Sequence, residues 1–324
     1  MRAAWVTTLD GPESVTIRET GEPPADPAAV RIDVAAAGIT FPDVLLTRGA
    51  YQVKPELPFI PGTEVAGVVR TAPPGSGFTA GQRVVGFPGF GGFAEVVDVA
   101  PRMTFALPDR LSFAEGCAVP MNYLTMHFAL TRRADLQPGE TVLVHGAAGG
   151  IGTAALQLLR SYGARSIAVV SSDEKAAVAK AAGADEVVTA AGFREQVAGL
   201  TGGAGVDMVV DPVGGDRFTD SLRSLATGGR LLVIGFAAGE IPVVKVNRLL
   251  LNNIAVVGVG WGAYVGKHPD YPREQWDELL PLLEAGRLVP PVGAVFPLEE
   301  AASALAGMEG RKTLGRSVLR VTGS

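Results

Sequence analysis

Near the middle of this 324-residue chain stands the stretch VLVHGAAGGIG, at residues 142–152. A short apolar strand, a tight glycine turn and the start of a helix follow one another there. The glycines let the backbone approach a phosphate, and the free N–H groups of the helix start face its negative charge. The stretch therefore predicts a domain that binds a dinucleotide through its pyrophosphate. Because it begins only at residue 142, we expect a large domain before it.

The bulk composition limits the classes of function. The length allows about two domains of roughly 150 residues each, and 47% hydrophobic residues with a mean hydropathy of +0.27 allow a sizeable core. The net charge of −5 and the pI of about 5.4 give no electrostatic reason to bind nucleic acid or an anionic membrane. Cys117 is the sole cysteine, which excludes an intramolecular disulfide and favours a reducing compartment. With no apolar signal-peptide core near the N-terminus, we expect a cytoplasmic protein.

The residues before the glycine stretch contain short runs rich in Val and Ile. These runs lie at 14–18, 30–35, 64–70, 83–86 and 93–99, and segments rich in Pro and Gly separate them. Such a pattern is typical of a compact antiparallel β domain.

From residue 141 onward, predicted strands alternate with predicted helices. This alternation predicts a doubly wound parallel sheet. The uncharged run at 141–159 has the length of a membrane span, but its glycines cluster between a strand and a helix, so we expect no membrane insertion. The strands are expected at 141–145, 166–170, 186–189, 208–211, 230–234 and 254–257, and the helices at 150–161, 173–181, 193–200 and 216–225.

The C-terminal segment departs from this alternation after Gly258. Prolines separate two helical pieces, at 273–285 and 298–308, and a final strand is expected at 317–321. The segment is too long for a frayed terminus, so we expect it to return to the first domain. The predicted division is a β-rich domain at 1–121 and 262–324 and a cofactor domain at 122–261.

The glycine turn departs from the G-x-G-x-x-G fingerprint at its first glycine, which is Ala147. A glycine-rich turn between buried elements would explain the stretch without a cofactor, and a fingerprint alone is a weak signal. The strand, turn, helix and second strand nevertheless arrive at the spacing of a dinucleotide site. The residues expected to contact the cofactor here are Ala148, Gly149, Gly150, Ile151 and Gly152.

The second strand of the α/β part ends without a carboxylate. NAD enzymes usually place an Asp or Glu there to bind the ribose 2′-hydroxyl, whereas this strand ends in Ser171 and Ser172. Asp173 follows, and we interpret it as the N-cap of the next helix. The two serines and Lys175 suit a 2′-phosphate, so the sequence favours NADPH over NADH. The alternative for Lys175 is a solvated residue on the helix surface.

Two later strand ends are expected at the same crevice, because ligands of such sheets lie outside the carboxyl ends of the strands. Val213 follows one of these strands, and Gly235 and Phe236 follow another. The glycines there permit close approach of the nicotinamide ribose. The alternative for each segment is an ordinary loop turn.

Several further motifs occur in a specific order along nearly the whole chain. Together they resemble the zinc-independent quinone oxidoreductases, also called the zeta-crystallin-like group, of the medium-chain dehydrogenase/reductase superfamily. The motifs are AGIT at 37–40 with Asp43, RGAY at 48–51, PGTEVAG at 61–67, NYLT at 122–125, VHGAAGGIG at 144–152, DPVGG at 211–215 and LGR at 314–316.

This resemblance implies a GroES-like β-rich catalytic domain, a Rossmann-type cofactor domain and an active site in the cleft between them. It also implies NADPH as the cofactor and a homodimer or homotetramer, often paired through the cofactor domains. From the same resemblance we expect Asn122 and Thr125 near the nicotinamide and Arg316 in contact with the cofactor. The alternative for Arg316 is an ordinary surface charge.

Two threonines stand where zinc-dependent members of the superfamily carry metal ligands. Those members have Cys at the position of Thr40 and His at the position of Thr63. Catalytic zinc needs about three Cys, His or carboxylate ligands, and threonine is a poor substitute. A four-cysteine structural site is impossible with one cysteine, and the three histidines are scattered along the chain. We therefore expect no metal.

Without zinc, hydrogen-bond donors must stabilise the oxygen of the reduced substrate. Tyr51 is the first candidate, because a phenol donates a hydrogen bond and brackets a planar ring, and because it matches an active-site tyrosine of the family. Thr40 is the second, although relatives often carry Asn there; its hydroxyl would orient the substrate or the nicotinamide amide. The alternative for Tyr51 is a half-buried aromatic residue that packs at the rim of a cleft.

These features predict a zinc-free oxidoreductase that transfers hydride from NADPH to a quinone or a similar electron-poor acceptor. The same scaffold would serve an enoyl or 2-alkenal reductase, since only the acceptor differs. A third hypothesis is a crystallin-like protein that binds NADPH or RNA with little turnover, although the acidic balance argues against RNA. We expect a small-molecule quinone or enone as substrate, and neither nucleic acid nor membrane as partner.

Overall fold

The computed structural model describes residues 1–310 and 313–322, and the chain divides into two compact units. The first unit comprises Met1–Met121 and Pro269–Ser324, and the second unit is Asn122–His268. Residues 262–268 lie in the second unit, whereas we predicted them in the first domain.

Both units combine strands and helices. The strands of the described chain are β1 (Arg2–Val6), β2 (Val15–Glu19), β3 (Val30–Gly38), β4 (Glu64–Thr71), β5 (Arg83–Gly86), β6 (Val96–Val99), β7 (Thr104–Ala106), β8 (Thr141–Val144), β9 (Arg165–Val170), β10 (Glu186–Thr189), β11 (Val206–Asp211), β12 (Leu225–Val233), β13 (Ala255–Gly258), β14 (Val292–Pro297) and β15 (Arg316–Arg320). The helices are α1 (Phe41–Thr47), α2 (Phe113–Gly116), α3 (Thr125–His127), α4 (Gly150–Ser161), α5 (Asp173–Ala181), α6 (Phe193–Leu200), α7 (Phe218–Arg223), α8 (Asn247–Asn252), α9 (Trp261–Val265), α10 (Tyr271–Glu284) and α11 (Ala301–Glu309), with π-helical turns at Pro120–Leu124 and Phe128–Arg133.

The first unit contains a two-stranded and a seven-stranded sheet. Strands β1 and β2 pair with each other, and the larger sheet has the order β14-β15-β3-β4-β5-β7, with β6 also paired to β3. Its pairs are antiparallel in the described chain except for β14 and β15, which run parallel because the chain crosses over through α11 between them. The described strand pairs within residues 1–121 are all antiparallel, as predicted for that part of the chain, whereas β1, β7 and β14 were not predicted.

The C-terminal segment shares the hydrophobic core of the N-terminal strands. Ile32 and Val34 of β3 belong to one buried cluster with Leu305 of α11 and Leu319 of β15. The alternation of buried and partly exposed residues in β3 is the period of two expected for a half-buried strand. Burial of these apolar side chains holds the C-terminal segment in the first unit.

The second unit is a six-stranded parallel sheet of order β10-β9-β8-β11-β12-β13. Numbered within the unit, this order is 3-2-1-4-5-6, the arrangement of a Rossmann fold. Leu143, Ile167, Val209 and Leu231 are fully buried, as expected for strands covered by helices on both faces. The predicted doubly wound parallel sheet is confirmed.

The strongly periodic helices were the best predicted elements. The helices expected at 150–161, 173–181 and 193–200 have those bounds in the structure. The helix predicted at 216–225 ends at Arg223, because Leu225 already begins β12, and the strand predicted at 93–99 begins at Val96. Among the described residues, no helix has both the length and the apolar character needed to cross a bilayer.

Candidate active site

The glycine turn connects β8 to α4 in the second unit. Gly146 adopts a positive φ of 58°, and its carbonyl accepts a hydrogen bond from the N–H of Gly149 at 2.9 Å. Ala147 is fully buried and is not among the described residues with positive φ. An alanine is therefore compatible with the position where the fingerprint has its first glycine, because the left-handed conformation falls on Gly146 instead.

Gly152 is the glycine that this turn requires most strictly. A Cβ atom at Gly152 would lie 2.3 Å from the carbonyl oxygen of Gly146 and 2.5 Å from the Cα of Ala147, and neither backbone atom can move aside alone. Gly149, by contrast, is exposed, and a Cβ there would meet only the Gly146 oxygen, at 3.3 Å. The first N–H groups of α4 have no acceptor inside the helix. The turn thus offers an open backbone surface for an anion.

Loops after three neighbouring strands meet beside this turn. A Cβ built on Gly146 would lie 3.4 Å from Cγ2 of Val213, and one on Gly214 would lie 3.3 Å from Cδ1 of Phe236. The Asp211 carboxylate shapes the middle loop by accepting hydrogen bonds from the N–H groups of Val213 and Gly214, both at 2.9 Å. The structure therefore brings together the predicted residues that follow β8, β11 and β12, at the carboxyl ends of parallel strands.

The end of β9 carries hydroxyl groups and an ammonium group. The Lys175 Nζ donates to Ser171 Oγ at 3.2 Å. Ser172 is the N-cap of α5, and its Oγ accepts from the Lys175 N–H at 3.3 Å. The prediction that Asp173 is the N-cap was therefore wrong, because Asp173 is the first helical residue, where its charge still favours the helix dipole.

An irregular helical segment carries the two residues expected near a nicotinamide. Asn122 and Thr125 are both buried, and π-helical turns flank α3. The Asn122 Nδ2 is buried without a hydrogen-bond acceptor in the described chain. A buried amide of this kind usually has a partner, and π-helical turns often occur at functional sites. The carboxamide of a nicotinamide would satisfy this donor.

The first unit holds a compact cluster of buried hydroxyl and carboxyl groups around the start of α1. Thr40 Oγ1 donates to Asp43 Oδ2 at 2.6 Å, and the Thr40 N–H donates to the same oxygen at 2.8 Å. The Thr63 Oγ1 lies 3.0 Å from Thr40 Oγ1, and the Gly62 N–H donates to Asp43 Oδ1 at 3.1 Å. Thr40 and Thr63, the positions of two zinc ligands in the zinc-dependent proteins, are therefore adjacent in space.

Burial changes the acidity of the groups in this cluster. It raises the pKa of Asp43 to about 6, although the hydrogen bonds from Thr40 and Gly62 and the charge of Arg316 act in the opposite direction. Tyr51 is half-buried against the same core, and burial together with the charge of Asp43 raises the pKa of its phenol. The phenol therefore keeps its proton at neutral pH and is able to donate a hydrogen bond.

Arg316 is buried and forms an ion pair with Glu64. The other carboxylate oxygen of Glu64 accepts a hydrogen bond from the Met121 N–H at 2.7 Å. Burial raises the pKa of Glu64 to about 7, whereas the charge of Arg316 lowers it. The interpretation of Arg316 as a surface charge is excluded, and its Nε is buried without an acceptor among the described residues.

The carboxyl groups of this cluster were not predicted as site residues. Asp43 and Glu64 occur in the sequence motifs of the family without a predicted role. A signal for Asp43 was present, because Thr40-x-x-Asp43 has the spacing of a capping box, which the structure contains. Within residues 1–310 and 313–322, no group of three or more His, Cys, Asp or Glu side chains is arranged to hold a metal ion.

Two family models match the chain. A model described as alcohol dehydrogenase GroES-like domain matches residues 26–109, in the first unit. A model described as zinc-binding dehydrogenase matches residues 150–285, most of which belong to the second unit.

Individual relatives match over almost the full length. The chain is 39% identical to quinone oxidoreductase-like protein 2 of Bos taurus, over 98% of this chain and 92% of the bovine protein. A probable oxidoreductase from Mycobacterium abscessus is 47% identical, with a TM-score of 0.91 and 99% of both chains covered. A quinone oxidoreductase from Thermus thermophilus, also solved in complex with NADPH, is 37% identical, with a TM-score of 0.86 and coverage of 99% of this chain and 100% of the other.

Proposed function

Because the chain belongs to the quinone oxidoreductase group of the medium-chain dehydrogenase/reductase superfamily, we propose that it reduces a quinone with NADPH. The observation that carries this proposal is the meeting of three loops beside the glycine turn, at the carboxyl ends of β8, β11 and β12. Solved relatives of the same fold bind NADPH, which supports the choice of cofactor.

The proposed NADPH site uses the residues that the sequence singled out. The pyrophosphate would lie on the N-terminal turn of α4, and the 2′-phosphate would bind Ser171 and Lys175, with Ser172 shaping the loop as the cap of α5. The unpaired amide of Asn122 would bind the nicotinamide carboxamide. The other residues assigned to this site are Ala148, Gly149, Gly150, Ile151, Gly152, Thr125, Val213, Gly235, Phe236 and Arg316.

The residues proposed for the chemistry stabilise negative charge on the acceptor. When bound, NADPH supplies a hydride from C4 of its nicotinamide. Negative charge then develops on the acceptor oxygen, and a donor aimed at that oxygen lowers the barrier. We assign the Tyr51 phenol to this position, because it is half-buried and keeps its proton, and we assign the Thr40 hydroxyl as a second polar contact.

Steady-state oxidation of NADPH with a panel of quinones and α,β-unsaturated ketones tests the reaction class. Turnover with quinones is expected, and Tyr51→Phe is expected to lower kcat by about tenfold to a hundredfold while NADPH affinity stays unchanged. Turnover with the unsaturated ketones alone would assign the chain to the enone reductases. Tight NADPH binding without turnover on either class would leave only a crystallin-like binding role, and a salt-dependent gel shift would test RNA binding.

The preference for NADPH has its own test at the end of β9. Lys175→Ala is expected to raise the KM for NADPH by about tenfold and to leave the KM for NADH unchanged, because a charge contact to the 2′-phosphate is lost. Lys180→Ala, at an exposed position of the same helix, is the matched control. Equal efficiency with both cofactors, unaltered by Lys175→Ala, would remove these residues from the phosphate site.

We propose that this chain works without zinc, as its two threonines at 40 and 63 suggest. Hydroxyl oxygens are poor replacements for the thiolate and imidazole ligands of catalytic zinc. Turnover is expected to be insensitive to a strong chelator, and metal analysis of the active protein is expected to find less than stoichiometric zinc. Loss of activity on chelation with recovery on added zinc would contradict the proposal.

We also propose that the chain forms a homodimer through its second unit. Val246, Leu250 and Leu251 on and beside α8 are 72%, 76% and 74% exposed, and β13 next to them is an edge strand. A second copy would cover both the apolar side chains and the strand edge. Light scattering is expected to give a dimer that Leu250→Glu with Leu251→Glu dissociates and that Leu9→Glu, in the first unit, leaves intact. A tetramer would require a further surface.

The cellular location we propose is the cytoplasm. The Cys117 thiol is buried and forms no disulfide. Because a chain with a single cysteine cannot form an internal disulfide, an oxidising compartment would not stabilise it. Fractionation of the native cells with an antibody to the protein is the measurement, and recovery from a secreted or membrane fraction would contradict the proposal.

A further inference from the structure

The hydroxyl hydrogen of Thr40 has a defined acceptor in this structure, the carboxylate of Asp43. A carboxylate only accepts hydrogen bonds, so an ionised Asp43 takes the Thr40 hydrogen across the 2.6 Å contact with Oδ2. Thr40 Oγ1 then acts as an acceptor toward its remaining neighbours, which are the Asp43 N–H at 3.3 Å and the Thr63 hydroxyl at 3.0 Å. While Asp43 is ionised, Thr40 has no hydrogen left to offer a substrate.

A proton on Asp43 reverses this direction without breaking any contact. The carboxylic acid donates from Oδ2 to Thr40 Oγ1, and its remaining lone pairs still accept from the N–H groups of Thr40 and Gly62. The hydrogen of Thr40 itself becomes free to point elsewhere. In the absence of a substrate, Thr63 Oγ1 at 3.0 Å accepts the released hydrogen, so that the Thr40 hydroxyl is paired in both states.

We propose that Asp43 is a positioning residue that switches Thr40 between acceptor and donor, so that Thr40 donates to the oxygen of the reduced acceptor only while Asp43 holds a proton. This inference rests on the proposed function. The acceptor anion takes the proton of Thr40, the Thr40 oxygen takes the proton of Asp43, and Asp43 is left as a carboxylate that solvent later reprotonates. One O–H bond breaks and one forms at each exchange, and no group in the relay is oxidised or reduced.

Charged groups on several elements interact with Asp43 and determine the pH range in which it changes its protonation state. Burial raises its pKa to about 6, and Arg316 on β15 lowers the pKa through its charge. The negative charge of Asp43 also raises the pKa of Glu64 on β4 and the pKa of Tyr51 after α1. Protonation of Glu64 therefore also favours ionisation of Asp43, and the titrations of these two carboxyl groups are coupled.

Burial also determines how an acceptor reaches the switch. Thr40 is 1% exposed, so contact requires a local rearrangement of the side chains that cover it. Because bulk water is absent around Thr40, the direction of its hydrogen bonds depends on its protein neighbours Asp43 and Thr63 rather than on solvent.

The test is the pH dependence of kcat for 1,4-benzoquinone, which does not ionise between pH 5 and pH 8, with a blank for acid decomposition of NADPH. The wild-type kcat is expected to fall by about tenfold per pH unit above the pKa of Asp43. Asp43→Asn and Thr40→Val are expected to lose this dependence, and Thr40→Ser is expected to restore it. Glu115→Gln and Ser112→Ala alter an exposed capping box of the same unit and are expected to keep the wild-type profile.

A second measurement needs no turnover. Infrared titration of the protonated carboxyl band, as the difference between wild type and Asp43→Asn, is expected to show Asp43 losing its proton between pH 5 and pH 7, with a band shifted in Thr40→Val. A flat kcat profile in an active wild type, or a profile retained in Thr40→Val, would overturn the switch alone. Absence of turnover with every acceptor, despite the infrared titration, would overturn the proposed function and the donor role of Thr40 with it.

Discussion

Two helices of the first unit begin with the same hydrogen-bonded box in very different surroundings. At α1, Thr40 and Asp43 exchange bonds of 2.6, 2.8 and 3.3 Å. At α2, Ser112 and Glu115 exchange the equivalent bonds at 2.7, 2.8 and 3.2 Å. Local sequence produces nearly the same geometry at both sites, because the residue three positions after the cap returns its carboxylate to the cap.

The two boxes differ in what surrounds them. Ser112 is exposed, so water competes for every bond of its box, whereas Asp43 is fully buried and also holds Gly62, and Thr40 has a second hydroxyl, Thr63, at 3.0 Å. A hydrogen bond contributes little to the free energy of unfolding where water can easily replace it. Leaving a buried polar group without a partner destabilises the protein much more. The same motif therefore only caps the helix at α2, whereas at α1 it also places a buried hydroxyl and a buried carboxyl group in contact.

The largest expected difference between the boxes is in the cost of removing the carboxylate. Asp43→Asn should destabilise the protein by about 3 kcal/mol at pH 5, because the amide nitrogen must face the N–H of either Thr40 or Gly62. Glu115→Gln should cost less than about 1 kcal/mol, because water accepts the freed donors. Urea unfolding followed by tryptophan fluorescence measures both. Equal losses of unfolding free energy in the two variants would show that burial does not make the α1 box more important for stability than the α2 box.

The second expected difference is in the pH dependence of stability. The pKa of Asp43 is raised on folding, so its contribution is fully present below the unfolded pKa and is lost as the pH rises through about 6. The stability gap between wild type and Asp43→Asn should therefore narrow by about 1.4 kcal/mol from pH 5 to pH 8. The gap between wild type and Glu115→Gln is measured alongside. A gap for Asp43→Asn that widens with pH would mean that folding lowers its pKa.

The third expected difference is in the stability lost when each capping hydroxyl is removed, and it is similar to or smaller than the two differences above. Thr40→Val should cost about 2 kcal/mol, since it removes the cap of α1 and leaves the buried Asp43 with one donor fewer. Ser112→Ala should cost about 1 kcal/mol, the usual value for an exposed cap. Thermal unfolding at one pH compares the two variants. A larger loss for Ser112→Ala would show that burial adds nothing to the cap of α1.

The smallest effect is expected at the second hydroxyl of the buried box. Thr63→Val preserves the shape of the side chain and leaves the bonds of Thr40 to Asp43 intact, so the loss should stay near about 0.5–1 kcal/mol. Thr63→Ala serves as the control for lost volume. A loss of the same size as that of Thr40→Val would make Thr63 a structural partner equal to the cap itself.

The second unit was the more predictable part of the fold. Its helices α4, α5 and α6 occupy the predicted residues because long periodic segments bury one face against the sheet. In the first unit, β14 has exposed and partly buried residues and acquires its conformation by pairing with β15. Short strands of this kind have little pattern of their own, since distant partners supply their hydrogen bonds.

The candidate site divides in the same way. The residues of the glycine turn follow from a local motif, because a tight strand-to-helix turn demands glycine at positions such as Gly152. The cap of α5 was misassigned by one residue, to Asp173 instead of Ser172, because both residue types cap helices well. The burial of Arg316 with Glu64 had no signal in the sequence, since 252 positions separate the two residues.

The sequence by itself determined the parallel sheet with its glycine turn, because the periods of strands and helices and the demand for glycine act over a few neighbouring residues. It also specified both capping boxes, by the spacing of Thr40 with Asp43 and of Ser112 with Glu115. Only the tertiary structure decided which box is buried and that Thr63 joins it. Burial and the pKa that follows from it depend on which distant segments exclude water, and no local pattern contains that information.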